Sequence, residues 1–375
     1  MKTKGALIWG RSEPWSVEEI EIGAPRRGEV MVRMETAGLC HVDHHLVTGD
    51  IPVTDFPILG GHEGAGVITE VGPEVDDLAV GDHVVLSFIP SCGRCPACQA
   101  GMSNLCELRP NLLAGASVSD GTFRVQARGR NAYPMSLVGA FAPYAVVHRS
   151  SVVKIDPAIR FDVACLVGCA VTTGYGSAVH SARIRPGEDV AIVGVGGVGT
   201  AALRGAVISG AGRIFAVDPS RWKRTQAEKF GAPQAFPNSD AAFAGIAEAT
   251  DGRMCTKVIV TVGLCDGRDL EGWTRLTAKA GTCVLTSIGS SDATTTVLDL
   301  SALTLSQKTL RGSLFGGGNP RLDIPEVLAL YKLGELPLDD LVTREYRLEE
   351  IDEGYRDMLE GRNIRGVIRF TEADR

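Results

Sequence analysis

No apolar run in this chain approaches the roughly 18 residues that a bilayer-spanning helix requires, so no membrane partner is expected. The first residues, Met1-Lys-Thr-Lys-Gly-Ala-Leu-Ile-Trp9, lack the apolar stretch and small-residue cleavage site of a secretory leader, and the expected compartment is the cytoplasm. Basic excess is also missing. A formal net charge of −7 argues against non-specific nucleic-acid binding, which needs a basic surface. Cysteine is scarce, at 10 in 375 residues, too few for a disulfide scaffold and in a compartment that would keep thiols reduced. There is no internal repeat and no low-complexity segment. The 44% apolar and 22% charged content is that of an ordinary globular protein, and at roughly 150 residues per domain the length predicts two or three domains.

Two features stand against these absences. Four of the cysteines crowd into residues 92–106, which in such a compartment points to metal rather than bridges. Glycine, at 45 residues, is well above its usual share of about 7%, and many glycines fall in pairs and triplets where backbone must approach something closely.

The first ~110 residues read as short strands broken by Gly and Pro: Ala6 to Trp9, Val17 to Ile22, Val30 to Met34, Gly66 to Val71 and Gly81 to Leu86. An irregular stretch from Asn111 to Phe141 follows, of a length that inside a compact domain is usually functional. From about residue 171, strands alternate with helical segments: Asp189–Val193, Val198–Ser209, Arg213–Val217, Trp222–Phe230, Lys257–Val262 and Thr282–Ser287. That alternation predicts βαβ units and a parallel sheet. A helix over Pro325–Lys332 and a strand over Gly366–Phe370 close the chain. The predicted fold class is α/β: a β-barrel domain over 1–170, a doubly wound parallel sheet over 171–314, and a return to the first domain over 315–375.

Gly194-Val-Gly-Gly-Val-Gly199 matches G-x-G-x-x-G directly after a strand and at a helix start. Gly194 permits the tight turn, Gly196 lets backbone approach a pyrophosphate, and Gly199 lets helix and strand pack. The following helix, with Gly197 and Val198 in its first turn, offers unpaired N–H groups to phosphate. Asp218 lies nineteen residues after Gly199, where an acid accepts hydrogen bonds from the adenosine ribose and repels a 2′-phosphate, favouring NAD over NADP. The bland alternative for Asp218 is a helix cap before Pro219.

Cys92-x₂-Cys95-x₂-Cys98-x₇-Cys106 supplies four thiolates, which make a closed structural zinc site without an open position. An iron–sulfur centre also accepts four cysteines, but the gap of seven before Cys106 and the lack of further cysteine pairs weigh against it.

Cys40, His62 with Glu63, and Cys169 are too far apart for spacing to unite them; alone, each reads as a buried thiol or a core histidine. The run Gly61-His-Glu-x₂-Gly66-x₅-Gly72-x₂-Val75, the four-cysteine cluster and Gly194–Gly199 nevertheless occur in one order. In this the chain resembles the zinc-dependent medium-chain alcohol dehydrogenases over essentially its whole length. The resemblance implies a GroES-like catalytic domain and a Rossmann domain, with two zincs per chain. It makes Cys40, His62 and Cys169 the catalytic ligands, Glu63 an acid that approaches the metal during ligand exchange, and Asp43 the carboxylate that orients the ligand histidine. It assigns His41 and Arg365 to the pyrophosphate, Lys223 to the adenosine ribose, Thr173 to the nicotinamide, and Phe88 and Phe141 to the substrate pocket. It also implies a homodimer or homotetramer acting on a small alcohol, aldehyde or ketone.

One position departs from the family pattern. Members usually carry Ser or Thr two residues after the first ligand cysteine, and its hydroxyl passes the alcohol proton toward a histidine matched here by His45. This chain has Val42, which neither donates nor accepts a proton and adds an apolar wall to the pocket. The closer resemblance, carried by Met1–Trp9, Phe315-Gly-Gly-Gly-Asn-Pro320 and Asn363-Ile-Arg-Gly-Val-Ile-Arg-Phe370, is to actinobacterial nitrosoaniline-dependent members. These hold NAD tightly and pass electrons to an external acceptor thought to be mycofactocin. Val42 keeps a second reading open, the same scaffold acting as an aldehyde dismutase or an alkene or carbonyl reductase. A third, a non-catalytic member of the fold, conflicts with the complete ligand and glycine sets.

Overall fold

Alternate side chains of the strand Glu29–Gly38 serve two different cores, as a pleated strand requires. Val30, Val32 and Met34 enter a cluster with Val84, Leu86 and Ile368, while Met31 enters another with Leu7, Ile20, Ile22 and Val125. The computed structural model describes residues 1–53, 55–112, 114–289 and 295–375. Within it the chain forms two compact units, Met1–Cys169 with Asn319–Arg375, and Ala170–Gly318. Sequence reading set these boundaries at 170/171 and 314/315.

In the first unit, Lys2–Ile8, Ser16–Ile22, Val125–Ala127, Arg130–Pro134 and Ile58–Leu59 close into a barrel. Beside it runs a sheet in the order Val152–Lys154, His83–Leu86, Gly64–Val71, Glu29–Gly38, Arg365–Arg369 and Val342–Tyr346, with Tyr144–His148 also paired to Glu29–Gly38. Two registers matter for function. Ala37 pairs with Gly64, so the segments after Gly38 and before Gly64 leave the sheet side by side. Val367 pairs with Gly38, which brings the end of the chain to the same place.

The stretch from Asn111 to Phe141 is not irregular throughout, which corrects the sequence expectation. It contains two barrel strands, Val125–Ala127 and Arg130–Pro134, joined by Arg128 and Gly129 with φ of 49° and 72°; Leu113 lies outside the described residues. These strands are short and one is mostly polar, so no apolar alternation announced them.

The second unit holds a parallel sheet in the order Gln234–Phe236, Arg213–Val217, Asp189–Val193, Cys255–Val260, Thr277–Leu285 and Thr309–Gly312. Numbered along the chain this is 3-2-1-4-5-6, the order of dinucleotide-binding sheets, whose strand order reverses beside the first strand. Among the described residues no single helix is long and apolar enough to cross a membrane.

Candidate metal centre and dinucleotide loop

Cys40 immediately precedes the helix His41–Thr48, and His62 and Glu63 immediately precede the strand Gly64–Val71. Cys169 follows the short helix Cys165–Gly168. The close approach of these segments depends on glycine. A Cβ on Gly38 would lie 2.1 Å from Glu63 Oε2, and one on Gly168 would lie 2.3 Å from the Leu86 carbonyl oxygen. Gly61 has φ of 87°, in the left-handed region, and its Cβ would strike Phe141.

The result is a buried group in which one donor atom each from Cys40, His62, Glu63 and Cys169 lies within 4.8 Å of every other. Asp43 Oδ2 lies 3.0 Å from His62 Nδ1, and Asp43 Oδ1 accepts from the Gly61 N–H at 2.9 Å. Neither ring nitrogen of His62 makes a hydrogen bond of good geometry, although Asp43 Oδ2 sits close to Nδ1. An imidazole with a carboxylate facing one nitrogen, buried among two thiols and a second carboxylate with its valences unmet, belongs to the donor set of a zinc site. Two sulfurs and one imidazole also leave a fourth position, as catalytic zinc requires.

Charge in this group is finely divided. Contact with Cys169 and the neighbouring charges of His62 and Arg365 pull the Cys40 thiol well below its ordinary range. The same contact, with burial, holds Cys169 well above it. One proton thus belongs to the pair and must leave when a metal takes both thiolates. Burial opposes charge on His62, yet Asp43 and Cys40 hold it well above its ordinary value. Burial raises Glu63 to about 7 despite the Arg365 guanidinium beside it.

Sequence reading missed the Arg365–Glu63 pair. The resemblance assigned Arg365 to a pyrophosphate, but in the structure its Nη2 bonds Glu63 Oε2 and the Leu39 carbonyl at the metal group. Phe141, expected in the substrate pocket, is fully buried in the core cluster that holds Val30, Val32 and Met34, edge-on to Trp15 with ring centres 5.5 Å apart, so it is a packing residue. Phe88 is half-buried and edge-on to the His62 ring at 5.6 Å. Val42 is half-buried and packs against the same cluster as Phe141. His41 is half-buried at the start of its helix, and His45 is buried in the last turn of the same helix.

The four-cysteine loop forms a second group with all donor sulfurs within 4.8 Å of one another. Cys92 to Cys98 and Cys95 to Cys106 are each 3.9 Å between sulfurs, against about 3.8 Å for the edge of a tetrahedron with the usual zinc–sulfur length of about 2.3 Å. The amides of Arg94 and Cys95 point at Cys92 Sγ. Those of Glu107 and Cys98 lower the Cys95 thiol to about 6.

In the second unit, Gly196 is the N-terminal cap residue of the helix Gly197–Ile208, which carries Val198 and Gly199 in its first turn. A Cβ on Gly199 would lie 1.8 Å from the Gly194 carbonyl oxygen, whereas one on Gly196 meets nothing within 4 Å. The close packing and the open approach predicted for these two glycines are therefore both present. Asp218 is buried; Oδ2 accepts from Val195 N–H at 3.0 Å and Oδ1 from Ser220 N–H at 2.8 Å. The carboxylate steadies the glycine loop and keeps lone pairs for further donors, while the helix cap is Ser220. Thr261, absent from the sequence reading, ties the loop to the next strand through a 2.5 Å bond to the Gly194 carbonyl. Lys223 is half-buried in the first turn of Arg221–Phe230, and the Thr173 hydroxyl is buried without a hydrogen-bond partner.

A Cys₂His metal group in a barrel unit and a glycine loop on a 3-2-1-4-5-6 sheet define a metal-dependent dehydrogenase. Residues 26–157 match the alcohol dehydrogenase GroES-like domain, and residues 197–332 match the zinc-binding dehydrogenase family. The chain is 66% identical over 375 residues to alcohol dehydrogenase B of Mycobacterium tuberculosis, covering all of both chains. It is 44% identical to the NDMA-dependent alcohol dehydrogenase of Amycolatopsis methanolica, covering 98% of this chain and 99% of that one. The crystal structure of benzyl alcohol dehydrogenase from Acinetobacter calcoaceticus superposes with a TM-score of 0.91 at 29% identity, covering 99% of this chain and 100% of that one. The chain belongs to the zinc-binding medium-chain alcohol dehydrogenase family, and its activity is that of a zinc-type alcohol dehydrogenase.

Proposed function

We propose that this enzyme oxidises a medium-sized apolar alcohol to its aldehyde or ketone with NAD, which it holds tightly and regenerates through an external, mycofactocin-like acceptor. Cys40, His62 and Cys169 would hold the catalytic zinc and the four-cysteine loop a structural one, giving two per chain. The buried Cys₂His group, whose imidazole nitrogens lack well-formed hydrogen bonds, is the observation that carries this reading. Similarity to a protein named NDMA-dependent supports the retained cofactor. The benzyl alcohol dehydrogenase neighbour, with Val42 and Phe88 beside the ligand residues in sequence or space, supports an apolar substrate.

Zinc supplies Lewis acidity that lowers the pKa of an alcohol. The remaining tasks fall to the chain. Asp43 holds the His62 ring by its Nδ1 side, and Arg365 holds Glu63 by its carboxylate. Val42 and Phe88 would face the apolar substrate, and His45 would take the proton. Gly194 to Gly199 would seat the pyrophosphate; Asp218 and Lys223 would hold the adenosine ribose, and Thr173 would lie by the nicotinamide. The strand Thr309–Gly312 is exposed along its length at the outer edge of its sheet, which supports a homodimer or tetramer paired there. The enzyme would act in the cytoplasm.

The test is the absorbance of purified enzyme while candidate alcohols are added without free NAD. A stoichiometric rise from bound NADH is expected. No rise until NAD is supplied would end the retained-cofactor proposal, and no rise even then would end alcohol oxidation.

A further inference from the structure

The helix His41–Thr48 ends in a turn that puts a carboxylate under its last histidine. Gly49 closes the helix with φ of 79°, in the left-handed region, and a Cβ there would lie 1.8 Å from Arg11 Nε. Arg11 donates to the Thr48 and Gly49 carbonyls at 3.0 Å each, and Ile51 N–H donates to the His45 carbonyl at 3.2 Å. The turn is therefore fixed from both sides. It leaves Asp50 Oδ2 3.2 Å from His45 Nδ1 and 2.5 Å from Thr48 Oγ1. The His45 side chain is 7% exposed and that of Asp50 21%, so water reaches the carboxylate more readily than the ring.

A carboxylate only accepts, so the Nδ1 facing it must carry the hydrogen, and the lone pair of the neutral ring then sits on Nε2. We propose that Asp50, steadied by Thr48, is the positioning residue that makes His45 Nε2 the proton acceptor of the alcohol oxidation. The inference rests on the alcohol-oxidising reading above. Oxidation of one alcohol sends a hydride, with both electrons, to NAD⁺ and leaves one proton. His45 Nε2 takes that proton, the imidazolium is stabilised by Asp50, and the ring returns the proton to water as the carbonyl product departs; Asp50 itself neither gains nor loses one. Val42 supplies no hydroxyl, so in this proposal the histidine–aspartate pair takes up the proton without a hydroxyl at that position.

The experiment uses the full-length enzyme as isolated, labelled with ¹⁵N-histidine, in parallel with single-turnover NADH formation from an alcohol that the wild type oxidises. A downfield imidazole N–H resonance is expected in the wild type and should vanish in both Asp50→Asn and His45→Asn. NADH formation in Asp50→Asn should slow roughly tenfold to a hundredfold, the usual loss when the group orienting a functional imidazole is removed, with zinc content unchanged. Formate should restore part of the rate to Asp50→Ala and none to His45→Ala, a difference that a merely structural role for Asp50 would not produce. An unchanged rate in Asp50→Asn, equal rescue of both alanine variants, or no such resonance in the wild type would overturn the proposal. If the wild type forms no NADH from any alcohol, the functional reading fails instead, and the resonance still reports on the histidine–aspartate pair.

Discussion

Replacing Asp43 by Asn changes almost no volume yet should strip the catalytic metal. Asp43 and His62 are 0% and 1% exposed, and the carboxylate serves His62 Nδ1 at 3.0 Å with one oxygen and Gly61 N–H at 2.9 Å with the other. An asparagine cannot do both. If its NH₂ faces His62, the ring must accept at Nδ1, which moves the hydrogen to Nε2, the nitrogen a metal needs bare. If its oxygen faces His62, two donors confront each other at Gly61 in a site closed to water. Losing such a supporting contact typically costs about tenfold to a hundredfold in metal affinity, or about 1.4–2.7 kcal/mol. Titration with a zinc chelator at fixed pH, counting zinc per chain, should show the Asp43→Asn enzyme losing one ion at correspondingly lower chelator. The ion expected at Cys92–Cys106, which would share no ligand with this site, would serve as the internal standard. Chelator curves for the two enzymes that agree within twofold would refute the argument.

Three further outcomes follow from the same coordinates. Gly196→Ala should fold normally but lose dinucleotide binding, whereas Gly199→Ala should unfold the second unit, because only the latter Cβ strikes backbone; melting curves and nucleotide titration separate the two. Glu29 accepts from Arg124 at 2.7 and 2.8 Å in a buried pair, with Asp120 3.0 Å from the same guanidinium. Glu29→Gln should therefore cost about 3 kcal/mol, the low end for a broken buried pair, or about 6–12 °C in Tm. Burial opposes charge on Glu29, but Arg124, Ser117, Arg26 and Ser119 hold its carboxyl below the ordinary range. The unfolded chain therefore binds the extra proton first, and the wild-type advantage over Glu29→Gln should persist at neutral pH and shrink below about pH 4.5. Cys95→Ser should release one zinc per chain and lower Tm, while NADH formation by the surviving folded fraction continues.

How much was legible in the sequence divides along physical lines. Asp189–Val193 and Arg213–Val217 were read to the residue because both are continuous apolar runs inside a parallel sheet, bounded by polar or glycine positions. The helix over 320–332 was read as Pro325–Lys332; its actual start is Pro320 after the Asn319 cap, a proline at the first helical position, and Pro325 lies inside. The strands Val125–Ala127 and Arg130–Pro134 carry too little apolar alternation to be seen at all. At the site, the four-cysteine spacing is local and was visible directly. Cys40, His62 and Cys169 are brought together by strand registers, Ala37 opposite Gly64 above all, which no spacing along the chain reveals. Arg365 entered only through the family resemblance, as a pyrophosphate contact; that it lies against Glu63 follows from the last strand pairing back on the third, a contact between residues 302 apart. Asp50 gave no signal beyond an acid after a glycine, because its meaning depends on the left-handed turn at Gly49.

The most direct measurement is an anomalous difference map of crystals of the purified enzyme recorded at the zinc edge. Two peaks per chain are expected, one enclosed by Cys92, Cys95, Cys98 and Cys106, the other within bonding distance of Cys40 Sγ, His62 Nε2 and Cys169 Sγ. A single peak at the four-cysteine loop, with Cys40, His62 and Cys169 ordered and bare, would contradict the account.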